Sequence, residues 1–458
     1  MSIHVVSQGE TIADIAAEYG VSPNRLSFDN QLSEQDHLVA GQALLVLQPD
    51  VIHETARGET IPSIAARYGV HPLQIVRNNP FLTSQPFLRQ GQYLVILYRG
   101  QSDRPLTADG YAYPFINKRL LGETLPYLGY LSIFSYGFTE SGELIPIDDE
   151  PLLEAARVYG TKSVFVLTPF SEAGTFNSNL VTVAAQNMEV QENLIDNIQR
   201  TVQSKGYSEV DVDFEYIRAE DRLAHVEFVR RLTQRMNAIG ITVSVALAPK
   251  VSADQPGLLY EGVDYRLLGE AANSVLLMTY EWGYTYGPPM AVAPIPSVRR
   301  VLEYAVTEIP PEKISMGIPN YGYDWPLPFV RGETAAVSIG NQEAVAIAAA
   351  NNTVIQYDEV SQAPFLNMRP RHIPYCMVRG RAQHPRQIPT GKGVRISQSG
   401  LLAAHAAVPS KLAASLHGIL AVKPGLNNCR DTGGPPGQIG STVFFPQNIS
   451  GSLLPLFQ

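Results

Sequence analysis

The sequence predicts an α/β protein in which two small modules precede a (β/α)8 barrel. The first observation behind this prediction is an internal repeat, because residues 4–21 realign with residues 53–70 further along the chain. The second is an alternation of apolar, strand-like runs with longer helical patterns over residues 107–365, which is typical of a parallel sheet covered by helices. The third is a composition of 45% hydrophobic and 17% charged residues, which excludes a wholly disordered chain and a multi-span membrane protein.

Each copy of the repeat reads as strand, helix, helix and strand. Thr11 is placed to cap the first helix, and Gly20 stands where a helix commonly ends in the left-handed conformation. We therefore expect one module at residues 3–48 and a second at residues 52–98. A polar linker that contains Gly and Pro follows at residues 99–106.

This pattern resembles two LysM modules, which bind the N-acetylglucosamine backbone of peptidoglycan or chitin. The resemblance covers nearly all of residues 3–98. It implies that the glycan is contacted by the turn after the first strand and by an asparagine after the second helix. These residues are Gly9, Glu10, Thr11, Asn30, Gly58, Glu59, Thr60 and Asn79. The same residue types also cap helices and close turns, and the sequence leaves that alternative open.

Seven strands of the barrel, residues 107–365, can be recognised from their apolar runs. They are Ala108–Pro114, Leu128–Phe138, Ser163–Phe170, Glu209–Tyr216, Thr242–Lys250, Ser274–Trp282 and Lys313–Tyr323. Helical patterns at Asn187–Lys205, Ala219–Ile239 and Val298–Thr307 lie between them. An eighth strand is needed to close such a barrel and would have to follow residue 365, but no strand pattern is evident there.

The predicted fourth strand carries an acid at every second position, at Asp211, Asp213 and Glu215. Alternate side chains share one face of a strand, so the three carboxylates lie together. On an antiparallel sheet this would be an ordinary solvated face, and spacing alone does not exclude that. On a barrel strand the same face points into the core, where the acids repel one another unless one holds a proton. Carboxylates with separated pKa values are what proton-transfer catalysis requires.

At this strand the sequence is similar to glycoside hydrolase family 18, whose fourth strand carries the pattern DxxDxDxE. The resemblance implies that Glu215 is the general acid and that Asp213 orients the substrate N-acetyl group, whose carbonyl oxygen is the nucleophile. It also implies that Asp211 shares a proton with Asp213 and that configuration is retained through an oxazolinium intermediate. Ser208 stands where the pattern has its first Asp, and Glu209 where Gly is usual. Both departures lie at the end of the strand away from the chemistry.

A second motif ends the predicted sixth strand, where Met278–Trp282 resembles the family pattern MxYD with Glu281 in place of Asp. The resemblance implies that Tyr280 hydrogen-bonds the acetamido group. Residues 278–294 and 321–325 are more similar still to LysM-bearing glycosidases that degrade spore-cortex peptidoglycan. We therefore expect a substrate-binding set of Tyr136, Met278, Glu281, Trp282, Tyr323 and Trp325. Core packing is the alternative role for these aromatic residues, and the sequence leaves it open.

Composition and the N-terminus narrow the possible partners and location. The net charge of −9 disfavours nucleic-acid phosphates, and no run of 18 apolar residues is present to span a membrane. Cys376 and Cys429 form neither a disulfide framework nor a CxxC metal site, and no metal or organic cofactor is implied. The first residues lack the blocks of a signal peptide. Proteins of this kind resemble mother-cell products that reach the spore without a signal peptide, so we expect a spore coat, cortex or cell-wall location. The oligomeric state is not predicted.

The basic tail, residues 366–458, differs from the rest of the chain. The last 98 residues contain ten Lys or Arg residues and one acid, Asp431. Permitted codons for residues 377–415, read one nucleotide later, can encode an acidic amphipathic helix followed by an apolar strand. We interpret the tail as the product of a frameshift, with a genuine basic extension as the alternative. We therefore expect no family-like strand in the tail, and weak or absent activity.

Together these features favour a glycoside hydrolase that binds glycan through its LysM modules and cleaves N-acetylglucosamine-containing peptidoglycan. The competing function belongs to another class: a barrel without catalytic activity that serves as a LysM-anchored wall- or chitin-binding protein. Intact Asp213, Glu215 and Tyr280 favour the enzyme, whereas the unrecognised eighth strand favours the binder.

Overall fold

Both N-terminal modules have the βααβ arrangement. The computed structural model describes residues 2–32, 37–85, 87–100, 107–170, 177–367 and the backbone of residues 440–444. The first module contains β1 (Ser2–Val5), α1 (Ile12–Tyr19), α2 (Pro23–Asp29) and β2 (Ala43–Val46), and the second contains β3 (Pro49–Glu54), α3 (Ile61–Tyr68), α4 (Pro72–Asn78) and β4 (Tyr93–Tyr98). The two strands of each module pair antiparallel, and its helices pack with them around a small apolar core. The prediction of two βααβ modules is confirmed.

The helix ends of the modules follow from capping chemistry. Thr11 and Thr60 precede α1 and α3, and each side chain accepts the backbone N–H three residues on. Gly20 and Gly69 end the same helices with φ of 65° and 66°, a left-handed conformation that glycine adopts without steric cost. Equal caps at equivalent positions explain why the two copies fold alike.

The barrel elements follow the modules in chain order. They are β5 (Thr107–Ala112), α5 (Lys118–Thr124), β6 (Tyr130–Phe138), β7 (Leu144–Ile145), α6 (Glu150–Tyr159), β8 (Lys162–Leu167), α7 (Ser178–Gln186), α8 (Met188–Lys205), β9 (Glu209–Val212), α9 (Arg222–Asn237), β10 (Thr242–Leu247), α10 (Tyr265–Ala271), β11 (Ser274–Leu277), α11 (Ile295–Glu308) and β12 (Ile314–Pro319). Seven of these strands, all except β7, form one parallel sheet in which each strand pairs with the next one along the chain. The seven predicted barrel strands are confirmed. The fourth and sixth strands end earlier than predicted, at Val212 and Leu277, although the N–H groups of residues 213 and 278 still donate to the neighbouring strands. The residues that follow, up to 216 and 282, continue beyond the carboxyl edge of the sheet.

A short insertion follows the seventh barrel strand. It contains two antiparallel strand pairs and one helix, which are β13 (Tyr321–Asp324) with β14 (Val337–Gly340), α12 (Asn341–Ala350), and β15 (Gln356–Asp358) with β16 (Ala363–Phe365). Because the insertion leaves the barrel at the carboxyl end of β12, it stands on the same side of the sheet as residues 213–216 and 278–282.

The eighth position of the barrel is filled by β17 (Gly440–Phe444). This strand pairs in parallel with β12 on one side and with β5 on the other, so the sheet closes on itself. The finding differs from the expectation that the tail supplies no strand. Strands one and seven of an open barrel present unpaired N–H and C=O groups, and a short extended segment that contains the strand-forming residues Thr442, Val443 and Phe444 satisfies them. Residues 368–439 and 445–458 lie outside the described residues, so the frameshift stays a hypothesis.

Two apolar clusters build the barrel. The larger lies between the sheet and the helices and includes Leu131, Phe165 and Phe228. The smaller cluster contains Tyr111 and Phe134, and it groups residues from alternate positions of several strands, as expected for the barrel interior. No helix in the described part of the chain is long and apolar enough to cross a membrane.

Candidate active site

The three acids of the fourth barrel strand form a column along its inner face. Asp211 and Asp213 are buried, with 1% and 5% of their surface exposed, and Glu215 is partly buried beyond the end of β9. Val212 and Phe214, which alternate with them, belong to the outer core between sheet and helices. The period-two pattern therefore places the carboxylates inside the barrel and the apolar residues outside it.

Asp211 lies at the base of this column and is held from both sides. The Tyr111 hydroxyl of β5 donates to its Oδ2 at 2.7 Å, and Ser244 Oγ of β10 donates to Oδ1 at 2.8 Å. Burial raises the pKa of Asp211 above its ordinary value, while these two hydrogen bonds oppose the shift. A second buried acid, Asp109, accepts from Ser132 at 3.1 Å, and burial raises its pKa to about 8. Burial therefore raises the pKa values of both acids at the base of the barrel.

Asp213 is the acid above Asp211 in the column, and one of its oxygens is unsatisfied. Its Oδ1 is buried and has no hydrogen-bond partner among the described residues. Burial, followed by the charges of Glu215 and Asp211, raises the pKa of Asp213 well above its ordinary value. A buried acceptor without a partner costs free energy, and a hydrogen-bond donor that reached this oxygen would recover part of that cost.

Glu215 stands at the open end of the column. Burial raises its pKa to about 7, and the charge of Glu281 contributes to the same shift. Glu281 is held in turn by two hydroxyls of β13: Tyr321 donates to it, and Tyr323 donates to its Oε2 at 3.0 Å. A carboxyl with this pKa is about half protonated at neutral pH, and its protonated form can transfer the proton, as a general acid does.

Tyr280 lies close to the acids and is 8% exposed. Burial raises the pKa of its hydroxyl well above the ordinary value, and the charges of Asp213 and Glu215 add to that shift. Gly317 of β12 makes room for the ring, because a Cβ at this glycine would lie 2.5 Å from Tyr280 Cε1. Any larger residue at position 317 would therefore displace Tyr280.

The expected substrate-binding residues other than Tyr136 lie in four places. Met278 packs against the cluster inside the barrel, and Tyr323 and Trp325 lie 5.7 Å apart at the mouth, with Trp325 Nε1 donating to Gly287 at 2.8 Å. Glu281 accepts hydrogen bonds from the Tyr321 and Tyr323 hydroxyls of β13, as described above. Trp282 packs against the outer core, which is the alternative role that the sequence left open.

The expectation that Tyr136 lines the cleft is wrong. Its ring is 2% exposed and stacks on Phe165 at 4.3 Å in the outer core. Its hydroxyl donates to Asp149 Oδ2 at 2.5 Å. The ladder between β6 and β8 is irregular between Ile133 and Tyr136, and this irregularity moves the tyrosine to the opposite face of the strand.

Four residues of the site were not anticipated from the sequence. Tyr111 and Ser244 hold Asp211, and burial together with the charge of Asp213 raises the pKa of Tyr113 to about 12. Phe134 contacts the Tyr113 ring edge-on at 5.4 Å. Tyr111 and Tyr113 stand two apart at the end of the first barrel strand, so the same period that identified the acids could have identified them.

The polar LysM residues have partners within their own modules. Thr11 and Thr60 cap helices, as described above. Glu10 accepts from the Ser7 backbone and lies 3.0 Å from His4 Nε2, and Glu59 lies 2.8 Å from His53 Nε2 in the same arrangement. The side chains of Asn30 and Asn79 bind the backbones of β2 and β4.

These contacts favour the capping role for the side chains. Asn79 in particular is 0% exposed, so its side chain holds the module together and does not touch a glycan. Gly9 and Gly58, with φ of 86° and 84°, provide the turns between the first strand and the first helix. We expect any glycan contact here to come from the exposed surface of these turns.

Comparison with known proteins gives two family matches. Residues 170–374 match the family described as glycosyl hydrolases family 18, and residues 4–46 and 53–97 match the LysM domain. The "Cortical fragment-lytic enzyme" of Bacillus subtilis (strain 168) is 38% identical over 371 residues, which is 80% of this chain and 85% of the relative. The protein of the same name from Bacillus anthracis is 37% identical over 382 residues, which is 80% of this chain and 86% of the relative.

Solved structures give the same grouping. The spore cortex-lytic enzyme SleL of Bacillus cereus superposes with a TM-score of 0.65 at 33% identity and covers 80% of this chain and 85% of that chain. A chitinase from Chromobacterium violaceum superposes with a TM-score of 0.53 at 21% identity over 58% of this chain and 82% of that chain, a likeness of fold alone.

Proposed function

The chain belongs to family 18 of the glycosyl hydrolases and carries two LysM domains, and we propose that it cleaves the N-acetylglucosamine-containing glycan of peptidoglycan, including that of the spore cortex. The relatives named as cortex-lytic enzymes support a place of action at the spore or cell wall. The observation that carries the proposal is the column of Asp211, Asp213 and Glu215 inside the barrel, with Tyr280 beside it.

In this proposal Glu215 is the general acid. Its raised pKa of about 7 supports the protonated state at neutral pH. As the C1–O bond breaks, Glu215 gives its proton to the glycosidic oxygen, and the carbonyl oxygen of the neighbouring 2-acetamido group forms a bond to C1. Water then attacks C1 of the oxazolinium intermediate, and Glu215 accepts the proton of that water. Two displacements at C1 retain the configuration.

Asp213 and Tyr280 are the residues proposed to hold the acetamido group. The unsatisfied Oδ1 of Asp213 is an acceptor suited to the acetamido N–H, and it is buried where water does not compete. Asp211 lies behind it in a network with Tyr111 and Ser244. We propose that the two aspartates share one proton, which moves toward Asp211 when Asp213 accepts the substrate N–H.

The sugar specificity of this mechanism provides its test. A β-linked N-acetylglucosamine oligosaccharide with a fluorogenic leaving group is compared with the analogue that carries a 2-hydroxyl in place of the acetamido group. We expect hydrolysis of the first alone, with a product whose β-anomer is detected first by NMR. Equal hydrolysis of both substrates, or an α-anomer that is detected first, would show that the acetamido group is not the nucleophile.

Asp213→Asn gives a second test on the same substrate. This variant changes neither the general acid nor the fluorogenic leaving group, so its effect reports on the acetamido group. We expect a severe loss of kcat because the acetamido oxygen loses its orientation. The binding-only alternative, a barrel without activity, predicts no hydrolysis by the unaltered chain, and no observation at the site favours it.

A further inference from the structure

The two LysM modules, alike in sequence, differ in what surrounds one equivalent glycine. Gly41 and Gly91 occupy the same turn before the last strand of each module, with φ of 85° and 78°. Gly41 N–H donates to Val6 at 2.8 Å, and Gly91 N–H donates to Thr55 at 2.8 Å. The backbone requirement is therefore the same in both modules.

Only the first of these turns is packed against the barrel insertion. Ile355 N–H donates to the Ala40 carbonyl at 2.9 Å, and Gln342 Nε2 donates to Gln31 Oε1 at 2.6 Å. A Cβ at Gly41 would lie 1.8 Å from the Ile355 carbonyl oxygen. At Gly91 the nearest atom would be a Glu54 side-chain oxygen 3.9 Å away. We call this contact of the first module with residues 342 and 355 the docking contact.

The docking contact lies next to the strand pair that holds Glu281. In this pair Tyr321 is opposite Gly340, and Tyr323 is opposite Ser338. Helix α12 starts immediately after β14, so Gln342 is only two residues from the partner of Tyr321. We therefore expect a movement of α12 to reach the two hydroxyls on Glu281 through consecutive backbone.

The second module fixes the modules to the barrel at a separate place. The Arg77 guanidinium donates to the Pro126 carbonyl, and the Tyr127 hydroxyl donates to the Arg77 carbonyl at 2.7 Å. The modules also contact each other, because the Arg25 guanidinium donates to the Asn78 carbonyl at 3.0 Å. The modules therefore contact the barrel at two places and each other at a third.

We propose that the first LysM module is a structural part of the active site: through the docking contact it supports the β13–β14 pair that positions Glu281 beside the general acid. The module thus has a positioning role that the second module lacks. The inference rests on the proposed function only where it concerns catalysis, because the docking itself does not depend on what the barrel cleaves.

Gly41→Ala and Gly91→Ala form the matched pair that tests it in the full chain. Both place an alanine at positive φ and strain the two turns alike, but only Gly41→Ala collides with Ile355. Hydrogen exchange read by mass spectrometry is the first measurement. We expect amides of residues 353–356, 321–324 and 337–340 to exchange roughly tenfold faster in Gly41→Ala and at the unaltered rate in Gly91→Ala.

Kinetics on the short fluorogenic N-acetylglucosamine oligosaccharide is the second measurement. This substrate enters the barrel without needing the modules, so loss of glycan binding by a module does not affect it. We expect Gly41→Ala to lower kcat several-fold and to move the alkaline limb of the pH profile, with Gly91→Ala unchanged. A loss of barrel stability alone would lower the active fraction without moving that limb.

Gly41→Ala could unfold the first module, and faster hydrogen exchange in α1 would reveal this. A milder variant keeps the proposal testable in that case. Gln342→Ala removes one hydrogen bond of the docking contact and leaves the glycine turn intact, and we expect the same changes at smaller size. Unaltered exchange of residues 321–324 and 337–340 in a variant that exposes the Ile355 amide would overturn the proposal. If the unaltered chain cleaves nothing, the exchange result still decides the docking role, so the two proposals fail separately.

Discussion

Replacement of His225 by phenylalanine is expected to make the barrel less sensitive to acid. His225 lies on α9 with 1% of its surface exposed, and its ring is 5.5 Å from Phe214 and 6.4 Å from Phe228. Neither ring nitrogen has a hydrogen-bond partner among the described residues. Burial lowers the pKa of His225 to about 4, and the charge of Asp221 opposes this shift only in part.

The size of the effect follows from linkage between protonation and folding. In the unfolded chain the histidine takes up its proton near the ordinary pKa of 6.5, whereas in the folded protein it resists protonation until about pH 4. The unfolded state therefore gains protons first as the pH falls, and the free energy of unfolding decreases between these two values. Integrated to pH 4, the contribution of this one group is a loss of about 3 kcal/mol relative to pH 7.

Urea unfolding followed by circular dichroism at pH 7 and pH 4 measures this contribution. We expect the unaltered chain to lose about 3 kcal/mol more than His225→Phe over this interval, since phenylalanine keeps the aromatic packing and removes the titration. His37→Gln is the control, because His37 is exposed. Equal losses in the unaltered chain and in His225→Phe would refute the interpretation of His225 as a buried neutral group.

Three further predictions concern the site and the modules. The value of kcat/KM is expected to fall above about pH 7, because Glu215 must hold its proton. Glu281→Gln removes a negative charge that raises the pKa of Glu215, so we expect this variant to show the same fall at lower pH. An alkaline limb that stays at the same pH in the variant would contradict this. Tyr136→Phe is expected to leave KM for the glycan unchanged and to lower the free energy of unfolding by about 1 kcal/mol, measured by urea titration, because its hydroxyl serves Asp149 and not substrate. Residues 1–98 are expected to sediment with insoluble peptidoglycan or chitin, since two modules on one chain raise the effective concentration; recovery in the supernatant while a known glycan binder pellets would exclude glycan binding by this pair of modules.

Short-range patterns predicted most of the fold and the centre of the site. The acids at positions 211, 213 and 215 follow from the period of a strand, and the apolar residues between them occupy the outer core as that period requires. The caps at Thr11 and Thr60 follow from local hydrogen bonding in the same way. In each case the decisive interaction joins residues a few positions apart.

Features that depend on distant or irregular contacts were not predictable. The irregular ladder near Tyr136 reverses the face of one residue, and no sequence pattern marks such an irregularity. Gly317 is explained by the ring of Tyr280 and the carbonyl of Leu277, which lie 37 and 40 positions earlier in the chain. The eighth strand at residues 440–444 and the contact of Gly41 with Ile355 depend on where other elements leave space. Such contacts are fixed by tertiary structure and not by local propensity.

The central claim is that Glu215 protonates the leaving group, and the rate of glycan cleavage by Glu215→Gln tests it most directly. The matched control is Glu220→Gln, which makes the same change at an exposed acid five residues away. On purified spore-cortex peptidoglycan, with reducing ends as the readout, we expect Glu215→Gln to lose about 10²–10⁴-fold in turnover with little change in substrate binding. The control is expected to match the unaltered chain. Near-normal turnover by Glu215→Gln would contradict the account.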